Sequence, residues 1–269
     1  MPFESGRRLC LLFTAGRVRY AIEATSVVEV APPDADGDSI RGFLELEDLS
    51  QLLGGPAEQR PGMAVVLDVS PTLALRVRTV EGVHDLARAP VFRLPQGLAE
   101  SLALVARGGV LHDGRLFLEL VAEALPHRVV PLAPIPPRPV YLLEEVPDRA
   151  LVFESQGRIW GIPLPLVSQV VAASDAFCPL PLSGGPVAGL FPHVEGLWPI
   201  YSAPGLLGGE GAREELFILA ELAGQQAGLT ASRVLGVHQD FELSGTPGEL
   251  IAARLGVPAL FLDLQRMFS

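Results

Sequence analysis

Residues 9–30 read LCLLFTAGRVRYAIEATSVVEV, and residues 151–170 read LVFESQGRIWGIPLPLVSQV. Each stretch has an apolar run, a glycine-containing turn, a second apolar run with an aromatic residue, and a pair of valines three residues apart. Matching positions are 140 residues apart throughout. Short apolar runs on both sides of a glycine turn are typical of β-hairpins. The chain therefore begins the same fold twice.

Two further blocks extend this repetition. Gly42, Leu46, residues 52–55 (LLGG) and residues 82–84 (GVH) recur 154 positions later as Gly196, Ile200, residues 206–209 (LLGG) and residues 236–238 (GVH). A third block places Leu116–Leu120 on Leu260–Leu264, 144 positions later. Because the spacing changes so little over the chain, the sequence predicts one fold built twice with loops of different length.

The length of 269 residues suits two domains, each with its own core. We predict a first domain over residues 1–126, a proline-rich linker over 127–148 and a second domain over 149–269. Five prolines between residues 131 and 139 of this linker remove too many amide donors for a central strand or helix; they are Pro131, Pro134, Pro136, Pro137 and Pro139. The linker also contains apolar residues, so we expect part of it to lie along a domain surface.

Local patterns predict a mainly all-β fold with few short helices. Leu73–Thr79 alternates in the manner of a strand with one buried face, and Asp113-Gly114 suits a two-residue hairpin turn. Short strands with frequent turns favour small closed barrels. The best helix candidate is Leu46–Leu53, whereas its counterpart contains Pro204 and Gly205 and is expected to be weaker or absent. Ala24–Val28 suits a single helical turn.

Composition excludes several classes of function. The net charge of −11 without a basic stripe argues against nucleic-acid binding. No apolar run approaches the roughly 18 residues of a membrane span, and the N-terminus lacks a signal-peptide pattern, so we expect a cytoplasmic protein without direct membrane insertion. Nucleophile-elbow, phosphate-loop and dinucleotide motifs are missing, which predicts a protein that is not an enzyme and needs no cofactor.

Cysteine and histidine positions do not form a metal-binding pattern. Cys10 and Cys178 do not correspond between the repeats and suit small core residues. His84 and His238 do correspond, but each lacks a second ligand at strand or helix spacing. We interpret them as structural residues at strand ends.

The order of these motifs resembles the CheW family, the coupling proteins of bacterial chemosensory arrays. The resemblance covers nearly the whole chain apart from the linker and occurs twice. In the first repeat it rests on the hairpin Leu11–Ile22, residues 27–30 (VVEV), residues 40–42 (IRG), residues 48–49 with 53–54, and residues 80–86 (VEGVHDL). In the second it rests on Phe153, residues 160–163 (WGIP), Val167, residues 199–200 and Val234–Val237.

The resemblance implies that each repeat is a pair of five-stranded SH3-like β-barrels without a catalytic centre. It also implies two partners, namely the regulatory domain of a CheA-type histidine kinase and the helical cytoplasmic tip of a chemoreceptor. Carried over by position, the protein-binding candidates are Val27, Glu29 and Arg41 in the first repeat. Their second-repeat counterparts are Val167, Gln169 and Glu195.

Apolar residues of the second repeat supply one further candidate. Leu190, Phe191, Leu197, Trp198, Ile200 and Tyr201 are mostly expected in a barrel core, with one or two exposed as a docking patch. Trp198 is the first candidate for exposure.

The two repeats differ at the positions that the resemblance assigns to binding. The second repeat has Glu195 for Arg41, Gln169 for Glu29 and Ser202 for Asp48, and the first has an acidic run, Asp34–Asp38, before Arg41.

The leading hypothesis is a non-catalytic scaffold that links a histidine kinase to receptors or other proteins, with unequal binding by the two repeats. The alternative is an interaction module of a motility, polarity or other regulatory system that no longer couples receptors to a kinase. A ligand-sensing barrel is a third class, and its strands would need converging polar groups. The oligomeric state stays open.

Overall fold

The structure is a computed structural model that describes residues 7–58, 62–95, 98, 100–125, 138–181, 185–194, 196–209 and 213–269. The described chain divides into two compact units. The first contains the described residues within Met1–Pro134, Asp175–Ser183 and Leu190–Leu197. The second contains those within Ile135–Ser174, Gly184–Gly189 and Trp198–Ser269.

Eleven strands form in the described part of the first repeat. They are β1 (Leu9–Ala15), β2 (Val18–Glu23), β3 (Val27–Ala31), β4 (Ser39–Ile40), β5 (Leu44–Asp48), β6 (Met63–Leu67), β7 (Leu73–Val77), β8 (Thr79–Asp85), β9 (Val91–Arg93), β10 (Ala106–His112) and β11 (Arg115–Leu120). Its helices are α1 (Leu49–Leu52) and α2 (Glu100–Ala103), with single 3-10 turns at Ala24–Ser26 and Ala122–Ala124.

The described part of the second repeat follows a similar order with twelve strands. They are β12 (Ala150–Ser155), β13 (Arg158–Pro163), β14 (Val167–Ala172), β15 (Cys178–Pro179), β16 (Val187–His193), β17 (Gly196–Tyr201), β18 (Leu216–Leu222), β19 (Gln225–Ala231), β20 (Arg233–His238), β21 (Phe241–Leu243), β22 (Glu249–Ala252) and β23 (Pro258–Phe261). Its helices are α3 (Ala203–Leu206) and α4 (Leu264–Phe268), with a 3-10 turn at Leu164–Leu166.

Strand order repeats along the chain. One sheet has the order β8-β1-β2-β11-β10-β9, and its counterpart has β20-β12-β13-β23-β22-β21. The other pair of sheets has the orders β3-β6-β7-β5-β4 and β14-β18-β19-β17-β16-β15. The all-β fold class with few short helices is therefore confirmed, although the described sheets contain six, six, six and five strands rather than five each.

The predicted hairpins form, and even their irregularities are repeated. Asp113 and Gly114 both have positive φ, as a two-residue turn between β10 and β11 requires. The pairing of β1 with β8 shifts at Leu12/Phe13, and that of β12 with β20 shifts at the equivalent Val152/Phe153. Because β-bulges are placed by specific local sequences, the shared shift supports the duplication independently of strand order.

Strand pairing corrects the predicted match of the third block. Leu118 lies opposite Tyr20 in the parallel β11–β2 pair, and Leu260 lies opposite Trp160 in the equivalent β23–β13 pair. Leu118 therefore corresponds to Leu260, a spacing of 142 residues rather than the predicted 144. A two-residue slip keeps every side chain on its face of the sheet, so alternation in the sequence cannot distinguish the two registers.

The prediction of one alternating strand over Leu73–Thr79 is also correct only in part. β7 ends at Val77 and Thr79 begins β8. Ala74 is buried although alternation placed it on the wet face, because it packs in a cluster with Ile40, Ala64 and Val66.

Two helix predictions need correction. The predicted helix Leu46–Leu53 is a strand as far as Asp48 and a helix only from Leu49. Leu46 pairs with Ala74 of β7, and this non-local pairing overrides the helical spacing of the leucines. The counterpart α3 is present despite Pro204 and Gly205. Proline is tolerated in the first helical turn, where its missing N–H is not needed. The single turn predicted at Ala24–Val28 is confirmed at Ala24–Ser26.

Asp48 holds α1 and the segment that follows it. One carboxylate oxygen accepts a hydrogen bond from the Gln51 amide at 3.1 Å, and the other accepts from the Glu58 amide at 2.7 Å. We expect Asp48→Ala to lower the free energy of unfolding by about 1–2 kcal/mol because it removes both acceptors. Asp48→Asn, which retains one oxygen, should lose about half as much in urea unfolding. Equal losses in the two variants would contradict this assignment.

The linker is described from Arg138 onward, and the rest of the predicted linker lies outside the described residues. Leu142 forms an isolated antiparallel bridge with Leu262, and the Tyr141 carbonyl accepts from the Asp263 amide at 2.8 Å. Arg138 donates to the Met267 carbonyl at 3.0 Å and lies over the Phe268 ring. The expectation that part of the linker lies along a domain surface is confirmed for these residues.

The core follows the repeated apolar runs. In the first repeat Cys10, Leu12, Ala21, Leu86, Val110 and Phe117 form a buried cluster. In the second, Ala150, Val152, Leu250, Ala259 and Phe261 form another. Both cysteines are free and fully buried, as the sequence predicted. No helix within the described ranges is long and apolar enough to cross a membrane.

Candidate protein-binding surface

A bulge at the edge strand β3 positions the first candidate residues. Val27 pairs with Leu67 and Glu29 pairs with Val66, so Val28 is an extra residue without a partner on β6. Bulges at sheet edges redirect neighbouring side chains and are frequent at binding sites. Val28 is 63% exposed, whereas Val27 is only partly exposed. The bulge therefore presents Val28 to solvent beside Glu29.

Arg41 reaches Glu29 from the opposite end of the same sheet. Its guanidinium Nη2 lies 2.7 Å from the Glu29 carboxylate, with side-chain exposures of 65% for Arg41 and 27% for Glu29. β3 and β4 are the two ends of the five-stranded sheet, so the sheet curls enough to bring a side chain next to β4 within ion-pair distance of one on β3. A pair this exposed stabilises the fold by only about 0–1 kcal/mol.

The loop that carries Arg41 is held by the acidic run before it. Arg41 has a left-handed backbone, with φ of 58°, and Gly42 follows with φ of 73°. Asp34 accepts a hydrogen bond from the Gly42 amide at 2.7 Å. Asp36 accepts from the amides of Asp38 and Ser39 at 3.0 and 3.2 Å, and these backbone hydrogen bonds, with one from the Ser39 hydroxyl, lower the pKa of Asp36. The acidic run is therefore an ordered turn that fixes the direction of Arg41.

Phe43 completes the surface. It follows Gly42 in the same loop and is 78% exposed. We name Val28, Glu29, Arg41 and Phe43 the Glu29–Arg41 surface. Its two apolar members were missed by the sequence reasoning, although an aromatic residue directly after the Arg-Gly pair was an available signal. Two large apolar side chains beside one accessible ion pair give the mixed chemistry of a protein interface.

The second repeat keeps the bulge but has different residues at the matching sequence positions. The pairing of β14 with β18 shifts between Val167 and Gln169, which makes Ser168 the extra residue in place of Val28. Gln169 is exposed and uncharged, and Val167 is partly exposed at the start of β14. Leu197, the counterpart of Phe43, is only 5% exposed. Glu195 lies outside the described residues.

Trp198 is not an exposed anchor, so that prediction was wrong. Its side chain is 5% exposed on β17, a strand paired on both sides within its sheet. Tyr201 and Ile200 of the same strand are buried as well. The aromatic richness of this segment therefore belongs to core packing, which was the expectation for most of its members.

The two equivalent histidines lie at strand ends but differ in their neighbours. His84 Nδ1 lies 3.2 Å from His112 Nε2, and the two rings meet edge to face. His238 contacts the Leu235 carbonyl at 3.5 Å instead. His112 is the second imidazole that the spacing argument did not find. No cluster of three or more metal-binding side chains occurs in the part of the chain that the structure describes.

A ligand-sensing site was the third class of function considered. An open depression of about 360 Å³ lies beside Ala173, Arg213, Glu214 and Glu215. Glu214 already accepts hydrogen bonds from the Ser155 hydroxyl and the Gln156 amide. This depression is charged and lies on the surface, outside the strands. It is therefore not the interior cavity that a ligand-sensing barrel would need.

The chain matches known proteins in structure and not in sequence. No protein-family model matches the chain, and no curated protein is similar to it in sequence. Among solved structures, the scaffolding protein TtCheW from Thermoanaerobacter tengcongensis matches with 14% sequence identity and a TM-score of 0.36. The match covers 45% of this chain and 92% of that chain.

Proposed function

We propose that the chain is a non-catalytic scaffold built from two CheW-like domains, which links a CheA-type histidine kinase to chemoreceptors or other proteins in the cytoplasm. The repeated motifs that resemble the CheW family, together with the repeated strand order, support this proposal. The observation that carries it is the Glu29–Arg41 surface, because its exposed apolar residues and its accessible ion pair suit recognition of another protein.

The two repeats have unequal roles in this proposal. The first repeat presents Val28, Phe43 and the ion pair, and the second has Ser168, a buried Leu197 and the uncharged Gln169 at the matching sequence positions. Interface energy is concentrated in a few apolar and arginine anchors. The first repeat therefore binds the partner that reads this surface, and the second supports it or binds a different protein.

Reversing the charge of Arg41 is the direct test. In the full chain, we expect Arg41→Glu to weaken binding to the partner at least about tenfold, because it removes the cation and opposes Glu29 with a like charge. The double variant Glu29→Arg/Arg41→Glu restores the ion pair with reversed polarity. Binding should stay weak in the double variant if the partner reads the polarity. Calorimetry with a CheA-type regulatory domain and with a receptor-tip fragment from the same organism measures both.

A second ion pair supplies a matched control. Arg233 and Glu154 lie 2.8 Å apart with exposures of 68% and 30%, close to the values for Arg41 and Glu29. Arg233→Glu should leave both affinities within about twofold, since surface ion pairs contribute little to the fold itself. If Arg41→Glu bound both partners as well as wild type does, the Glu29–Arg41 surface would not be the binding surface.

One observation favours the alternative of a divergent interaction module. Arg41 and Glu29 already neutralise each other, so a partner gains less from either charge than it would from an unpaired one. In that case the chain binds neither the kinase domain nor the receptor tip. Phe43→Ser would then abolish binding to proteins of another regulatory system while Arg41→Glu changes it little.

A further inference from the structure

The change of spacing between the repeats marks an insertion. Matching residues are 140 positions apart up to Val170 and 154 positions apart from Gly196 onward, so the second repeat has 14 additional residues between these points. In the first repeat the corresponding connection is the short acidic turn before Arg41.

The inserted residues include Asp175–Pro181, which belong to the first compact unit. We name this segment the arm. Phe177 and Cys178 are its most buried members, at 1% and 0% exposed. Leu180 is also buried, at 8%. A segment of the second repeat thus fills a surface among residues of the first.

Arg19 binds the arm through its backbone. The guanidinium Nη2 donates to the carbonyl oxygens of Asp175 and Phe177, each at 2.6 Å, and Nε donates to the Leu116 carbonyl at 3.1 Å. Hydrogen bonds from a charged donor are the stronger kind. At the other end of the arm, the Pro181 carbonyl lies 2.8 Å from where a side chain on Gly55 would begin. The surface is therefore shaped for an extended chain at both ends.

The buried hydroxyl of Tyr20 makes the docked state of the arm less stable. Its ring is 1% exposed, and its hydroxyl has no hydrogen-bond partner among the described residues. Burial raises the pKa of Tyr20 well above its usual value, with a smaller contribution from Cys178 in the arm. A buried hydroxyl without a partner loses its hydration and gains nothing in exchange. Release of the arm would let water reach this group.

We propose that the arm is a releasable intramolecular ligand, held by Arg19 of the first unit and by the pairing of its short strand β15 with β16, and opposed by the unpaired Tyr20 hydroxyl. In the docked state the arm occupies a peptide-binding surface that includes Arg19, Tyr20, Gly55 and Leu116. In the released state this surface is open, while the rest of the first unit stays folded. The arm thereby determines whether this surface is available to other proteins.

The chain contains two cysteines, and both are useful probes. Cys178 lies in the arm, and Cys10 lies in the core cluster of β1. Native full-length protein is treated with a maleimide reagent, and each cysteine is followed by peptide mass spectrometry. Local release exposes Cys178 alone, whereas Cys10 requires unfolding of the unit. We expect Cys178 to react at least about thirtyfold faster than Cys10.

Two variants should move the Cys178 rate in opposite directions. Arg19→Gln should raise it at least about tenfold because it removes the charged donor to two carbonyls. Tyr20→Phe should lower it about fivefold to tenfold because it removes the unpaired hydroxyl. The Cys10 rate should change less than the Cys178 rate in both. Arg78→Gln is the matched control, since Arg78 also donates to a backbone carbonyl of this unit, that of Gly16, at 3.1 Å.

Equal labelling rates at Cys10 and Cys178 in the wild-type protein would overturn the proposal, because the arm would then open only when the unit unfolds. An increase of both rates by the same factor in Arg19→Gln would do so too. Tyr20→Phe keeps the test decisive if Arg19→Gln does not fold, since a rate at Cys178 that rises or stays constant in this variant contradicts the role of the hydroxyl.

Discussion

Replacing Arg8 by methionine is expected to lower the free energy of unfolding by about 3 kcal/mol. Glu119 on β11 is only 4% exposed, and Arg8 is its direct ion-pair partner. Arg107 lies farther from it, at 3.9 Å, and also pairs with Glu23 at 2.9 Å. The hydrogen bond with Glu119 is the main cause that raises the pKa of Arg8. Without Arg8, the Glu119 carboxylate stays buried with one distant cation.

The double variant Arg8→Met/Glu119→Leu distinguishes loss of the ion pair from loss of packing. Because it removes the buried charge together with its partner, it should recover at least about half of the lost stability. Arg233→Met is the control and should change stability by less than about 1 kcal/mol, as expected for an exposed pair. Urea unfolding followed by circular dichroism measures all three. A double variant as unstable as Arg8→Met alone would show that Glu119 does not depend on this charge.

Much of the fold could be predicted because it is encoded locally. The hairpin β1–β2, the turn at Asp113-Gly114 and the single helical turn after β2 depend on neighbouring residues, and all three formed as expected. The predictions were wrong where pairing with a strand distant in the sequence determines the local structure. Leu46 joined a strand through its pairing with β7, and the third block was misaligned by two residues because alternation alone does not fix register.

The candidate surface was only partly accessible from the sequence. Glu29 and Arg41 followed from the family resemblance, but their mutual ion pair depends on how the five-stranded sheet curls. Val28 and Phe43 are exposed because of a bulge and a loop that only the backbone reveals. Trp198 shows the opposite error, since both faces of β17 are buried, as the low exposure of Trp198 and of Tyr201 shows.

The corrected register shows that the two repeats have different residue pairs at the same position of the parallel strand pair. Glu119 lies opposite Ala21 in the parallel pair β11–β2, and Phe261 lies opposite Gly161 in the pair β23–β13. The first repeat thus combines alanine with a buried, ion-paired glutamate. The second combines glycine with a fully buried phenylalanine. In each repeat the two paired residues fit each other. Replacing only one of the two should therefore lower the free energy of unfolding.

Gly161→Ala is therefore expected to lower the free energy of unfolding by about 3 kcal/mol, at the upper end of the usual effect of overpacking. A methyl group at Gly161 would collide with the ring of Phe261, which is 0% exposed and cannot swing outward. Ala21→Gly, the matched change in the first repeat, opens space instead of removing it and should cost about 1 kcal/mol. Both tryptophans, Trp160 and Trp198, lie in the second repeat, so urea unfolding followed by their fluorescence reports on the affected domain.

Shortening the opposing side chain tests the cause. Phe261→Leu alone should destabilise the domain by about 1–2 kcal/mol because it leaves a small cavity. Combined with Gly161→Ala, it should cost clearly less than the sum of the two single changes, since the added methyl group then occupies space that the ring has vacated. Strict additivity would mean that the two residues do not compete for the same volume. Because Ala21 tolerates its methyl group opposite Glu119, such coupling would show that the duplicated strands diverged by paired changes at one position of the shared register.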